Sequence, residues 1–198
     1  MRTTLFTILL MALVSVPALA DDAAKAEAKK QEMMKAWMKY STPSDQHKIL
    51  AGMAGQWKYT SQFWESAKGK PEVSKGTSSM KMILGGRFLQ QDISGKAMGM
   101  PFKGIGITGY DNLKEKFETF WVDNMGTGMM RGTGSFDAAT KTLKDSGEHS
   151  CPMSDDKTRE FRSDWKLVDK NNMTYTMYGS DEDDDEFKMM EMVFKRVK

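Results

Sequence analysis

The stretch Phe161-Arg162-Ser163-Asp164-Trp165-Lys166-Leu167 decides the fold class, because polar side chains occupy every second position in it. Successive side chains of a β-strand point to opposite faces, so this order puts apolar side chains on one face and polar ones on the other. Clusters of Gly, Asn and Asp separate it from similar runs, and no long helical pattern interrupts the series from about Gln56 onwards. The pattern predicts an antiparallel sheet that closes on itself.

Strand-length segments repeat along the chain with short, turn-rich links between them. They are predicted near residues 56–65, 75–84, 87–94, 102–109, 116–123, 128–136, 141–149, 158–168, 172–179 and 186–196. Short links favour a meander in which each strand lies beside its neighbour in sequence, and closure removes the exposed sheet edges. We therefore predict an all-β fold, a roughly ten-stranded antiparallel up-and-down barrel preceded by short helices.

The first twenty residues have the pattern of an export signal. Arg2 provides a positive start, Leu5 to Val16 are apolar, and Ala18-Leu19-Ala20 is a small-x-small cleavage site. This apolar run of about a dozen residues is shorter than the ~20 that span a bilayer, so we expect no membrane span. The prediction is a signal peptide over 1–20, a mature chain that starts at Asp21, and a periplasmic or secreted protein.

Two helices are expected before the barrel. Residues Ala23 to Lys39 are mostly good helix formers, and they belong to a predicted helical segment over 21–42. Thr42-Pro43-Ser44-Asp45 is typical of a helix start, so a short capping helix is predicted to open the barrel domain, residues 43–198, and to end at Gly55. His47 lies in this capping helix and is expected to be exposed.

Composition excludes some partners and one kind of covalent link. The chain has 29 Lys and Arg against 27 Asp and Glu, and this near-balance gives no electrostatic case for binding nucleic acid or an anionic membrane. Cys151 is the only cysteine, so no internal disulfide is possible. The length fits one barrel domain, and we expect a monomer or a weak homodimer.

The order of several motifs resembles a known family. The motifs are Gly55-Gln56-Trp57, Ile83 to Leu89, Phe102 to Asp111, Trp121-Val122-Asp123, Glu191 and Arg196. Gly55-x-Trp57 after a short helix resembles the motif that opens lipocalin and calycin barrels, where a late arginine packs over the tryptophan. The longer pattern is similar to the bacterial family called domain of unknown function 1579. That resemblance implies a calycin-like barrel and brings no known activity and no catalytic residues.

The segment Gly104-Ile105-Gly106-Ile107-Thr108-Gly109 matches the spacing of a dinucleotide-binding fingerprint. That chemistry needs a helix directly after the glycines, whereas Tyr110-Asp111-Asn112 predicts a turn followed by another strand. We therefore interpret Gly104 and Gly106 as space left on one strand face, and we predict no cofactor.

Trp121 and Asp123 are the main ligand-binding candidates, because they share one strand face and would place a carboxylate beside an indole inside the barrel. A buried charge needs a partner, which Arg131 or Arg87 could supply. The alternative is structural: a satisfied pair, or an aspartate that caps the turn over 124–126. Tyr178 is a further candidate for the aromatic lining of the cavity.

A metal site is the second hypothesis. His149, Cys151 and Met153 bring together an imidazole, a thiol and a thioether, which are ligands suited to copper(I). Alternate side chains of a strand lie roughly 6.8 Å apart, so these three would converge only if Pro152 turned the chain. The competing interpretation is an isolated loop cysteine, with the 19 methionines acting as flexible core filler.

Catalysis receives little support, since the sequence has no nucleophile elbow, no Ser-His-acid order and only two histidines. The favoured function is binding or carrying a small, mostly apolar molecule in the barrel. The alternatives are a periplasmic copper-handling or redox protein, and a structural or interaction protein with a filled barrel. An empty apolar cavity would favour the carrier, and clustered sulfur and imidazole atoms would favour the metal.

Overall fold

A computed structural model of the protein describes residues 17–152, 154–180 and 185–197. The chain divides after Ser41 into two compact units. The first contains helix α1, Pro17–Ser41, which extends beyond the predicted Ala23–Lys39 at both ends. No helix among the described residues is long and apolar enough to cross a membrane. The apolar part of the predicted export signal, Leu5 to Val16, lies outside the described residues, and so do Met153 and residues 181–184.

The second unit contains a short helix and ten strands. Helix α2 is Asp45–Met53, and the strands are β1 Gly55–Phe63, β2 Glu72–Ile83, β3 Phe88–Ala97, β4 Met100–Asp111, β5 Lys116–Asp123, β6 Met130–Asp137, β7 Thr142–Ser150, β8 Thr158–Asp169, β9 Asn172–Ser180 and β10 Glu186–Arg196. Each strand pairs antiparallel with its neighbours in sequence, and β1 pairs with β10, so the sheet is a closed barrel. The predicted ten-stranded up-and-down barrel is confirmed.

The stretch Phe161–Leu167 lies in β8 and shows the predicted alternation. Phe161 and Ser163 are buried and Trp165 faces the interior, whereas Arg162 and Asp164 form an ion pair at 3.3 Å. Arg162 also binds Glu186 at 2.8 Å, so these charges lie on the outer face. The alternation along β8 therefore identifies which side chains face the interior, and the polar Ser163 is among them.

The two ends of the barrel differ in how their strands are connected. At the end where α2 lies, four tight turns join the strands over residues 84–87, 112–115, 138–141 and 170–171. Gly85 and Gly86 have φ angles of 67° and 83°, which glycine adopts without a steric penalty. At the opposite end the connections include the longer segments 64–71, 124–129 and 151–157. We call these the closed end and the open end.

Helix α2 and one tryptophan seal the closed end. Leu50 and Met53 of α2 are buried, and Trp57 of β1 is 1% exposed. The indole N–H of Trp57 donates to the carbonyl of Met53 at 3.0 Å. The guanidinium of Arg196 lies 4.1 Å from the centre of the Trp57 ring, at a distance typical of a cation–π contact.

Arg196 also ties three chain segments together at this end. It donates to the carbonyl of Ala54 at 2.5 Å, to that of Gly52 at 2.9 Å, and to that of Lys170 at 2.7 Å. Gly52 lies in the last turn of α2, and Ala54 directly follows the helix. Carbonyls at this end of a helix lack helical partners. The arginine of the last strand therefore holds the helix on the barrel.

His47 is buried, so the expectation that it is exposed was wrong. Its Nδ1 atom accepts the backbone N–H of Ser44 at 2.9 Å, which satisfies a free donor at the start of α2. Its ring meets Tyr110 edge-on at 6.0 Å between centroids. Removal from water lowers the pKa of His47, and the positive charge of Arg87 lowers it further.

Candidate functional site

A cavity of about 310 Å³ occupies the barrel interior. Its wall reaches from Met53 and Met80 near the closed end to Glu72, Lys96 and Met98 at the open end, which are exposed. The seal formed by Trp57 and α2 covers the opposite end, so the open end is the side from which a small molecule would enter. The sequence left open whether the barrel is filled, and the structure shows unfilled space inside it.

Most of the cavity wall is apolar, and methionine is its most frequent apolar residue. Among the described residues that line the cavity are Met53, Met80, Met98, Met125, Met130, Met177, Met190 and Met192. Aromatic rings supply a second group: Tyr59, Phe63, Phe102, Phe120, Trp121, Phe161, Trp165 and Tyr175. Unbranched methionine side chains adjust to irregular shapes, so this wall suits an apolar molecule without imposing one outline.

Trp121 lies on the cavity wall, where two glycines make room for it. A Cβ atom on Gly104 would collide with the Trp121 ring, and one on Gly106 would lie 3.2 Å from it. Phe102 stacks on the indole with centroids 6.3 Å apart. Strand β4 continues through these glycines to Asp111 without a helix, so they accommodate an aromatic ring, as interpreted from the sequence.

Asp123 also lines the cavity, at the end of β5. One carboxylate oxygen accepts the indole N–H of Trp121 at 2.7 Å, and the other accepts the backbone N–H of Met125 at 2.9 Å. The second bond caps the turn that follows the strand, which was the structural alternative considered from the sequence. Asp123 therefore fixes the orientation of Trp121. Arg131, the partner considered from the sequence, donates neither of these two hydrogen bonds.

Tyr178 and Arg131 are not brought to the cavity. Tyr178 lies beneath the guanidinium of Arg162, 3.7 Å from the ring centre, while its neighbour Met177 lines the interior. Arg131 is exposed, and Met130 beside it lines the interior. Tyr178 and Arg131 therefore lie on the outer faces of their strands. Of the four predicted ligand-binding residues, only Trp121 and Asp123 lie together on the cavity wall.

A polar cluster that was not predicted lies inside the barrel, around Asp145. This carboxylate is 6% exposed and lines the cavity. Its Oδ2 atom accepts the hydroxyl of Thr119 at 2.6 Å, and its Oδ1 atom accepts the hydroxyl of Ser163. Burial raises the pKa of Asp145, partly offset by these two hydrogen bonds.

Tyr175 completes the cluster from β9. Removal from water together with the nearby charge of Asp145 raises the pKa of its phenol, and the neighbouring hydroxyl of Ser163 partly offsets this rise. Its ring packs on Trp165 with centroids 4.7 Å apart, and Trp165 in turn packs on Phe194 at 5.3 Å. The polar cluster is thus supported by aromatic rings that continue into the core.

The alternation of side chains along β7 indicates that Asp145 faces the interior. In β7 it lies two residues after Leu143, and residues two apart share a strand face. Leu143 is 2% exposed, so an acid in phase with it had to face the interior. In β9, Tyr175 shares a face with the buried Met173 and Met177, whereas Tyr178 lies on the other face.

The proposed metal ligands receive no further support from their placement. The Nδ1 atom of His149 lies 3.1 Å from the carbonyl of Ser150, and the backbone N–H of Cys151 donates to the carbonyl of Lys157 at 2.9 Å. Met153 lies outside the described residues. Within the described ranges, no three His, Cys, Asp or Glu side chains are grouped so that they could hold a metal ion.

Comparison with solved structures finds the same architecture. The crystal structure of Rv2717c from M. tuberculosis is similar, with a TM-score of 0.59 and 12% sequence identity over 79% of this chain and 100% of that chain. At this identity the likeness shows the fold alone. A redesigned β-barrel, b11L5F_LGL, has a TM-score of 0.38 and 11% identity over 76% of this chain and 96% of that chain, which is too low to support an argument.

Comparison with curated proteins gives no match. The family model described as "Protein of unknown function (DUF1579)" matches residues 42–196, which include α2 and all ten strands. The resemblance inferred from the order of the motifs is thereby confirmed, and the chain belongs to the DUF1579 family.

Proposed function

We propose that this protein binds or carries a small, mostly apolar molecule inside its barrel. The observation that carries the proposal is the cavity of about 310 Å³ with its wall of methionine and aromatic side chains. Ligand pockets of proteins are mainly apolar, have a few placed polar groups, and range over roughly 300–1,000 Å³. The cavity lies at the lower end of that range, so the ligand is a small one.

The cavity favours this function over a barrel that serves only as a scaffold. A barrel that serves only as a scaffold would have a filled interior, without space lined by so many apolar side chains. An apolar ligand buried in this space would gain about 25 cal/mol for each Å² of apolar surface removed from water. Within this proposal Trp121 contacts the ligand, and Asp123 holds the indole in place through its hydrogen bond of 2.7 Å.

The proposal is tested with an environment-sensitive apolar fluorophore and two neighbouring residues of β1. Ser61 lines the cavity and Thr60 does not, so Ser61→Phe and Thr60→Phe add the same ring on opposite faces of one strand. We expect wild-type protein to bind at about one site, with quenching of Trp121 and Trp165 emission. Ser61→Phe should weaken binding at least tenfold, and Thr60→Phe less than twofold. Absence of binding, or equal effects of the two variants, would refute a cavity ligand.

We also propose that the protein acts in the periplasm or outside the cell, on the strength of the apolar run Leu5 to Val16 and the small residues Ala18 and Ala20. Amino-terminal sequencing of protein from its own host should then begin at Asp21. Native mass spectrometry of the same material would show a retained ligand as an added mass.

A further inference from the structure

The buried carboxylate of Asp145 is the polar group on the cavity wall that most needs a partner. Its two hydrogen bonds come from the neutral hydroxyls of Thr119 and Ser163, and neither supplies positive charge. A carboxylate has about four lone-pair positions, so these two bonds do not exhaust its capacity to accept. A buried charge with no counter-charge is costly in a protein interior.

No cationic side chain in the described part of the chain offsets this charge. Among the described residues, no Lys or Arg nitrogen lies within 4.0 Å of Asp145. The neighbouring carboxylate of Asp164 on the outer face acts in the same direction as burial and further disfavours the ionised form. A positive charge brought into the cavity would therefore gain from both acids.

The wall as a whole is acidic. Its charged residues in the described part of the chain are Glu72, Asp123 and Asp145 against the single base Lys96. Glu72 and Lys96 lie exposed at the open end, so an entering molecule passes one charge of each sign before it reaches Asp145. The interior thus selects against a carboxylate and in favour of a cation.

Aromatic rings near Asp145 suit a cation as well. A Cβ atom built on Gly132 would lie 2.8 Å from the Asp145 Oδ2 atom and 3.2 Å from the Phe161 ring, so that ring lies close to the carboxylate. Tyr175 lies near enough to feel the charge of Asp145, and Trp165 packs on Tyr175. Ammonium groups are attracted to the faces of such rings.

We propose that the ligand is a small amphiphile with a protonated amine, which lies against Asp145 while its apolar part occupies the methionine-lined remainder of the cavity. This inference rests on the proposed function and narrows the ligand to one chemical class. The ammonium would fill the free acceptor positions of the carboxylate and supply the counter-charge that the protein lacks.

Three probes with one alkyl chain test the inference: octylamine, 1-octanol and octanoate, each measured by calorimetry against the wild-type protein near neutral pH. We expect octylamine to bind at least tenfold more tightly than octanol, and octanoate to bind most weakly. Asp145→Asn, which keeps the size and an acceptor oxygen, should reduce octylamine affinity at least tenfold and change octanol affinity less than twofold. Asp92→Asn, on the outer face of β3, is the matched control and should leave all three affinities unchanged.

The outcomes separate the two proposals. If octanol and octylamine bind wild-type protein equally well, or Asp145→Asn keeps the amine preference, the amine inference is wrong and the apolar carrier stands. If none of the three binds and the fluorophore does not bind either, both proposals fail. The wild-type comparison decides the matter even if Asp145→Asn does not fold.

Discussion

The closed and open ends of the barrel are built by different means. At the closed end, Trp57 and Arg196 bind backbone carbonyls of α2, and tight turns join the strands. At the open end the longer connections 64–71, 124–129 and 151–157 surround the cavity, and exposed side chains such as Met98 form its rim. Helix α2, held by Trp57 and Arg196, covers one end, whereas the longer connections leave an opening at the other.

Two buried residues of the closed end, Trp57 and Leu50, lie outside the cavity wall. Fully buried Trp57 and Leu50 belong to the closed end, whereas Trp121 and Asp145 line the cavity beyond it. Substitution of Trp57 or Leu50 should therefore affect unfolding more than binding, whereas substitution of Trp121 or Asp145 should weaken binding.

The largest expected effect breaks the closed end directly. Trp57→Ala removes a fully buried indole with its hydrogen bond, and should lower the free energy of unfolding by ~3–5 kcal/mol. Phe63→Ala, at the open end of the same strand, removes a half-buried ring and should cost only ~1–2 kcal/mol. Urea denaturation measures both. If the two losses were equal, the contrast between the ends would not hold.

A smaller effect is expected from Arg196→Ala. This change removes three hydrogen bonds to the carbonyls of Ala54, Gly52 and Lys170 and the cation–π contact with Trp57, and should cost ~2–3 kcal/mol. Arg131→Ala, an exposed arginine, is the control and should stay within ~0.5 kcal/mol. Thermal unfolding of the two variants gives the comparison, and a harmless Arg196→Ala would show that α2 is held by apolar contacts alone.

The smallest effect is a pH dependence that sharpens the same contrast. The pKa of His47 is lowered in the folded protein, so below the unfolded value of about 6.5 the unfolded chain binds a proton first. Stability linked to His47 is therefore complete above that pH and is lost as the pH falls toward the folded pKa. In His47→Gln, which keeps an acceptor for Ser44, the fall in stability between pH 7 and 5 should be shallower. An unchanged slope would mean that His47 does not titrate with unfolding.

The fold could be predicted from the alternation of apolar and polar residues, because a strand with one buried face has an inward-facing side chain at every second position. Ten such runs joined by short links left few topologies, and the bounds of β5 and β10 match the prediction to the residue. His47 was misjudged because polarity alone suggested exposure, while its neighbours Leu50 and Met53 show that this helix face packs on the barrel.

The candidate site was only partly predictable, since it depends on contacts between strands distant in sequence. The Trp121–Asp123 bond joins residues two apart on one strand, so their shared face could be predicted. The Asp145 cluster joins β5, β7, β8 and β9, and the pairing of Asp145 with Ser163 exists only once these strands are in register. Tyr178 was predicted to line the cavity only because it is aromatic. The alternation of inward and outward side chains along β9 instead places Tyr175 on the inner face.

Closure of the barrel between β1 and β10 has a consequence for how the chain folds. Every other strand pair joins sequence neighbours through a short connection, whereas Trp57 must find Arg196 across nearly the whole domain. The entropy lost on closing a loop grows with its length, so this single seam should form late, after the local hairpins. The start of β1 and the end of β10 also lie side by side, as the bond of 2.8 Å from the N–H of Val197 to the carbonyl of Gln56 shows. A circular permutant that joins these ends and is cut within residues 64–71 would make the seam local and create a new one between β1 and β2.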